Sequence, residues 1–115
     1  MIEVPEVVSL CYDVGWRDKN LIAMVAIVGA ESNHDESFSD GTRLGLFALR
    51  VNTADSEDLL DPNQAAKVAR EIYEENYFIE WPSWVIGKYL QYVKPAVHGA
   101  GEFYVQLFEK ELIGG

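Results

Sequence analysis

The sequence predicts a mostly helical fold, all-α or α-dominated α+β, with about five helices, a buried central helix and a small hairpin or loop insert after it. Three observations carry this. The run Leu21–Ala30, LIAMVAIVGA, is apolar on nearly every side, as a helix enclosed by a core must be. The ten residues that follow, NHDESFSDGT, are dense in Asn, Asp, Ser and Gly, which is turn chemistry. Further on, Asp61-Pro62 supplies an N-cap and a first helical residue, and Gln64 completes a capping-box pattern.

Taken in order, residues 5–14 place Val7, Val8, Cys11 and Val14 at helical spacing, with Pro5 suited to a first turn. Gly15 stops that helix and Trp16 is expected to pack over the joint. Asp18 or Asn20 can cap the second helix, which runs to about Ser32. Asp40-Gly41 is a hairpin-turn signal. Periodicity leaves LGLFALRV open between a short strand and the start of a helix, and NTADSEDLL reads as a polar loop with some local helix. The third long helix places Ala65, Val68, Ala69 and Ile72 on its core face, with Tyr73 adjoining, and ends near Asn76. Pro82 starts a further helix, Pro95 ends it, and GAGEFYVQLFEKELI forms a last amphipathic one. No repeat or linker divides residues 1–115, so one domain is expected.

Composition narrows the function. At 49% hydrophobic the chain is a folded domain rather than a disordered segment. No apolar run approaches the roughly 20 residues needed to cross a bilayer, so no membrane insertion is expected. MIEVPEVV lacks the basic and apolar regions of a signal peptide, which predicts a cytoplasmic site of synthesis and storage, or a place in a particle. Nineteen acidic against nine basic residues give a formal charge of −10, which repels phosphate backbones and argues against nucleic-acid binding. One cysteine and two distant histidines offer no metal-ligand spacing, so neither metal nor cofactor is expected. Cys11 reads as a buried thiol.

Glu31 is the candidate for chemistry. In a helix it shares a face with Met24, Ile27 and Val28, an apolar wall. That wall and the partial negative charge of the helix C-terminus both favour the protonated form, as a general acid requires. The alternative is a solvated helix end. Asp35, Glu36, Asp40 and Asp55 are carboxylates that could act as its partner, although each also reads as a solvated loop residue. Trp81, Trp84, Tyr89 and Tyr92 offer flat faces on which a ligand ring could stack, or core packing.

The stretch AIVGAESNHDESFSDGTRLGLFAL resembles the lysozyme-like domain of lytic transglycosylases and bacteriophage peptidoglycan hydrolases. In that family a buried helix ends in Glu-Ser and a Gly-Leu-Met/Phe-Gln segment lines the sugar cleft. Glu31-Ser32 and Gly45-Leu46-Phe47 match these. Asp61-Pro62, Ile72-Tyr73 and the series Trp81, Trp84, Gly87, Tyr89 match a downstream pattern of the phage members. The likeness spans residues 15–95. It implies cleavage of the β-1,4 bond between N-acetylmuramic acid and N-acetylglucosamine, with Glu31 protonating the leaving oxygen and no protein nucleophile. It further implies Ser32, Gly45, Leu46, Phe47, Trp84 and Tyr89 as substrate-binding residues, and bacterial peptidoglycan as the partner. The chain departs from the family at Ala48, where Gln is usual, and lacks a direct counterpart of the Ala-Tyr-Asn motif, whose Tyr could be replaced by Tyr89, Tyr92 or Trp84. These departures, with the acidic surface, favour the runner-up: a structural or assembly component of a phage virion that keeps the fold and contacts other virion proteins. A silent glycan-binding module is a third reading.

Overall fold

In the computed structural model, which describes residues 1–114, the chain is mostly helical with one small antiparallel hairpin. Helix α1 (Val4–Asp13) begins on Pro5 and buries Val7, Val8, Leu10 and Cys11. Gly15 turns the chain, and Trp16 is enclosed at the joint. Helix α2 (Asp18–Ser32) touches α1 and three later helical stretches, at Pro82–Val85, Lys88–Tyr92 and Val93–Gly114. Leu21, Met24, Val25, Ala26, Ile27 and Val28 are all enclosed, which makes α2 the central helix. Each large apolar side chain among them contributes about 1.5–3 kcal/mol by burial. Neither Asp18 nor Asn20 caps α2; Arg17 holds the cap position, without a side-chain bond. The Asn20 side chain is taken instead by the hydroxyls of Tyr73 and Tyr77, each at 3.2 Å.

Asn33 ends α2 in the left-handed conformation, where Asn is favoured after Gly. The polar loop follows, then strands β1 (Arg43–Leu44) and β2 (Leu49–Arg50), paired Arg43 to Arg50 and Leu44 to Leu49. The ambiguity at LGLFALRV resolves into two short strands around a tight turn, Gly45–Ala48. Asp40 shapes the preceding turn: its carboxylate accepts from the amides of Thr42 and Arg43 and from the Thr42 hydroxyl.

Helix α3 (Ser56–Leu60) is a single turn that buries Leu59. Helix α4 (Pro62–Asn76) starts as expected, Asp61 accepting from the amides of Asn63 and Gln64. The return half of the capping box is not needed, because the Asp61 amide already donates to the Glu57 carbonyl. The helix expected between Pro82 and Pro95 is instead one turn, α5 (Pro82–Val85), and a 3-10 turn at Lys88–Tyr92 separated by Gly87. Pro95 ends nothing. It lies in the first turn of α6 (Val93–Gly114), where its missing N–H is an orphan anyway. Among the described residues, no helix is long and apolar enough to cross a membrane.

Candidate active site

Glu31 is half-buried in the last turn of α2. Its Oε2 accepts a hydrogen bond from the backbone amide of Ser83 at 2.8 Å. That donor exists because Pro82 begins α5: the second residue of a helix has no intrahelical acceptor, so its amide points outward. The carboxyl group is therefore held at a junction rather than loose at a helix end. Met24, Ile27 and Val28, the wall behind it, are fully enclosed.

The next residue locks the junction from the other side. The Ser32 hydroxyl lies 2.6 Å from the Leu46 carbonyl oxygen and 3.1 Å from that of Val28. With a single proton to donate, it favours the shorter contact, which ties α2 to the Gly45–Ala48 turn. The Trp81 indole N–H donates to the Phe47 carbonyl at 2.9 Å and ties the same turn to the chain leading into α5. Arg43 adds to this second tie, donating to the carbonyls of Ala48 and Glu80. Glu80 Oε1 sits 3.0 Å from Arg50 Nε and 3.5 Å from Arg43 Nη2. Three segments far apart in sequence thus fix one carboxyl group.

This arrangement reassigns most of the substrate-binding candidates. Ser32, Leu46 and Phe47 are buried, and their polar atoms are used inside the fold, so they position the turn rather than offer surface to a ligand. Gly45 is also buried. Its φ is +82°, and a Cβ there would overlap the Leu59 carbonyl oxygen, so the glycine lets the turn close against α3. Ala48 is likewise without exposed surface and adopts φ +48°.

Trp84 and Tyr89 stack on each other, with ring centroids 4.8 Å apart. They line a groove of about 310 Å³ with Asn20, Ala23 and Tyr77, along the first half of α2. From Ala23 to Glu31 the helix rises about 12 Å, and Trp84 brings the groove nearer, since it directly follows Ser83, whose amide holds the acid. Tyr92 packs against Gly29. The loop acids are engaged locally: Asp35 with Ser37, Glu36 with the N-terminus, and Asp40 as above. The bonds from the Ser37 hydroxyl and amide hold the Asp35 carboxyl below its ordinary range, and the amides of Thr42 and Arg43 do so for Asp40. Cys11 is enclosed, and burial pushes its thiol well above the ordinary value. Among the described residues no group of three or more His, Cys, Asp or Glu could hold a metal ion.

Ser83 is the residue of the candidate site that sequence reasoning missed. It is buried, its amide holds Glu31, and its hydroxyl has no hydrogen-bond partner. The signal was present in Trp81-Pro82-Ser83, since proline at the first helical position leaves the next amide free for an acceptor.

His34 follows the site at the end of α2, half-buried, and burial lowers its affinity for a proton below the ordinary 6.5. The unfolded chain therefore takes up a proton at a higher pH than the fold does. Stability that is complete above about 6.5 falls as the pH drops below it. The thermal midpoint is expected to fall between about pH 7 and 5, and His34→Gln to fall less over that range. Equal slopes for both proteins would rule out this contribution.

No protein-family profile, curated protein or solved structure matches this chain.

Proposed function

We propose that this chain cleaves the glycan strands of bacterial peptidoglycan at the β-1,4 bond between N-acetylmuramic acid and N-acetylglucosamine, with Glu31 as the single general acid. The observation that carries this is the Glu31–Ser83 hydrogen bond at the end of a buried helix. The amide fixes one carboxyl oxygen, Oε2, and in this reading the other, Oε1, is the one that delivers a proton to the leaving group. Proton transfer by a positioned acid contributes about 10²–10⁴-fold to a rate. Water, or a hydroxyl or acetamido group of the sugar, completes the reaction without a protein nucleophile. The likeness of Glu31-Ser32 and Gly45-Leu46-Phe47 to lysozyme-like phage enzymes supports the same reading, which brings the protein to the wall through a lysis-time pore or a virion tail.

The test is release of soluble muropeptides from isolated peptidoglycan of several wall types, with reducing ends marking hydrolysis and anhydro sugars marking transglycosylation. No release from any wall at high protein concentration would sink the reading. Ser83→Pro probes its physical basis. Proline fits the second position of a helix but removes the amide donor, so activity is expected to fall about tenfold or more while the fold persists. Unchanged activity would mean that the amide does not position the acid.

Ala48 favours a second reading, a virion structural component with a degenerate lysozyme-like fold. The turn presents no polar side chain at the position where the family has Gln. For that reading the chain would be found stoichiometrically in purified particles, with a partner chain against Glu31.

A further inference from the structure

Helix α6 carries two apolar faces, and only one is covered. Its inner face, with Ala96, Gly99, Ala100 and Phe103, packs on the body of the domain. On the opposite side Val97, Val105, Phe108 and Leu112 are exposed, Phe108 at 62% and Leu112 at 68%, while Tyr104, 39% exposed, lies at the edge between the faces with its ring against Tyr12 of α1. Lys94, Val97, Gly101, Tyr104, Phe108 and Glu111 follow one another at alternating steps of three and four residues. That alternation is the seam of a coiled coil.

Gly101 lies within this seam. A Cβ on Gly99 would overlap Val4 of α1, which accounts for that glycine. Around Gly101 there is open space and the backbone is helical, so nothing inside the molecule calls for it. A glycine in a helix interior costs about 1 kcal/mol relative to Ala. A second helix approaching closely at this point supplies the missing reason.

We propose that a second copy of this chain docks here, the two α6 helices lying antiparallel about a twofold axis. In that register Val97 faces Phe108 of the partner subunit, Gly101 receives Tyr104 of the partner subunit, and Lys94 meets Glu111 of the partner subunit. The large residue thus falls opposite the small one, and opposite charges meet at both ends. A parallel pair would place Lys94 against Lys94 of the partner subunit and Glu111 against Glu111 of the partner subunit, which the charges oppose. Glu102 and Glu109 lie outside the seam, and its open flank carries His98, Val105 and Leu112. Each copy contributes on the order of 500 Å² of exposed apolar surface, so the pair buries on the order of 1,000 Å², the lower bound for a specific interface. With a charge of −10 on each copy, long-range repulsion opposes the pair and is screened by salt. The dimer is therefore concentration-dependent and tightens as salt rises. Glu31 lies on α2, and the pairing is independent of any activity there.

Sedimentation velocity and light scattering on the full chain test this. The mass should rise from 13.0 kDa toward twice that value with concentration. Phe108→Glu, at an exposed position, should raise the dissociation constant by more than about tenfold. Gly101→Leu should do the same by blocking the partner's tyrosine. Lys94→Glu should weaken the dimer, and adding Glu111→Lys should restore it at the original net charge. Circular dichroism checks that each variant remains folded. A mass of 13.0 kDa at every concentration and salt, a dimer indifferent to Phe108→Glu, or a charge swap that restores nothing would each overturn the proposal.

Discussion

Glu31→Gln is expected to abolish muropeptide release, a loss of about 10²–10⁴-fold, with the unfolding midpoint nearly unchanged. Glutamine has the same shape and its amide oxygen can still accept from the Ser83 amide, so the junction of α2, the turn and α5 survives. What it lacks is the proton. Glu31→Asp is a useful companion, because it keeps the acid but withdraws it by one methylene from the amide that aims it. If an active wild-type protein kept its rate after Glu31→Gln, the general-acid role would belong elsewhere. The readout is the initial rate of soluble product formation, with circular dichroism to confirm the fold.

The second large effect is structural. Gly45→Ala should destabilise the domain by about 2–4 kcal/mol, from the left-handed backbone and the overlap with the Leu59 carbonyl together. Gly41→Ala is the control. Gly41 has a similar φ, +92°, yet nothing lies within 4 Å of a Cβ placed there, so only the conformational cost of about 1 kcal/mol applies. Thermal or urea unfolding measures both. Equal losses at the two positions would mean that the turn does not depend on close approach to α3.

The difference between these glycines shows what the sequence could and could not reveal. Local signals were legible: the apolar run of α2, the Asp40-Gly41 turn and the Asp61-Pro62 start each act within a few residues. Gly45-Leu46-Phe47 was also visible as a special segment, but the burial of its side chains was not. An apolar triplet beside a glycine fits a ligand cleft as well as a buried turn, and only the facing elements decide between them. Here Ser32, Trp81 and Leu59 occupy the surroundings of the turn, and they come from elsewhere in the chain. The same limit hid Ser83, whose importance arises from a bond to a residue 52 positions away. Between Pro82 and Pro95 the reading failed for another reason. Proline marks where a helix cannot carry on normally, but it tolerates both the end of one helix and the first turn of the next.

The three ties at the junction close chain separations of 14, 34 and 52 residues. The longest of them alone reaches the carboxyl group, so the acid's orientation depends on a segment outside the long helices. Opening of residues 80–83 would release the carboxyl group only by drawing Trp81, which is fully buried in the core, out of its seat. Readiness of the acid is then tied to the seating of Trp81, so the orientation of Glu31 and the local stability of the core around that indole are linked.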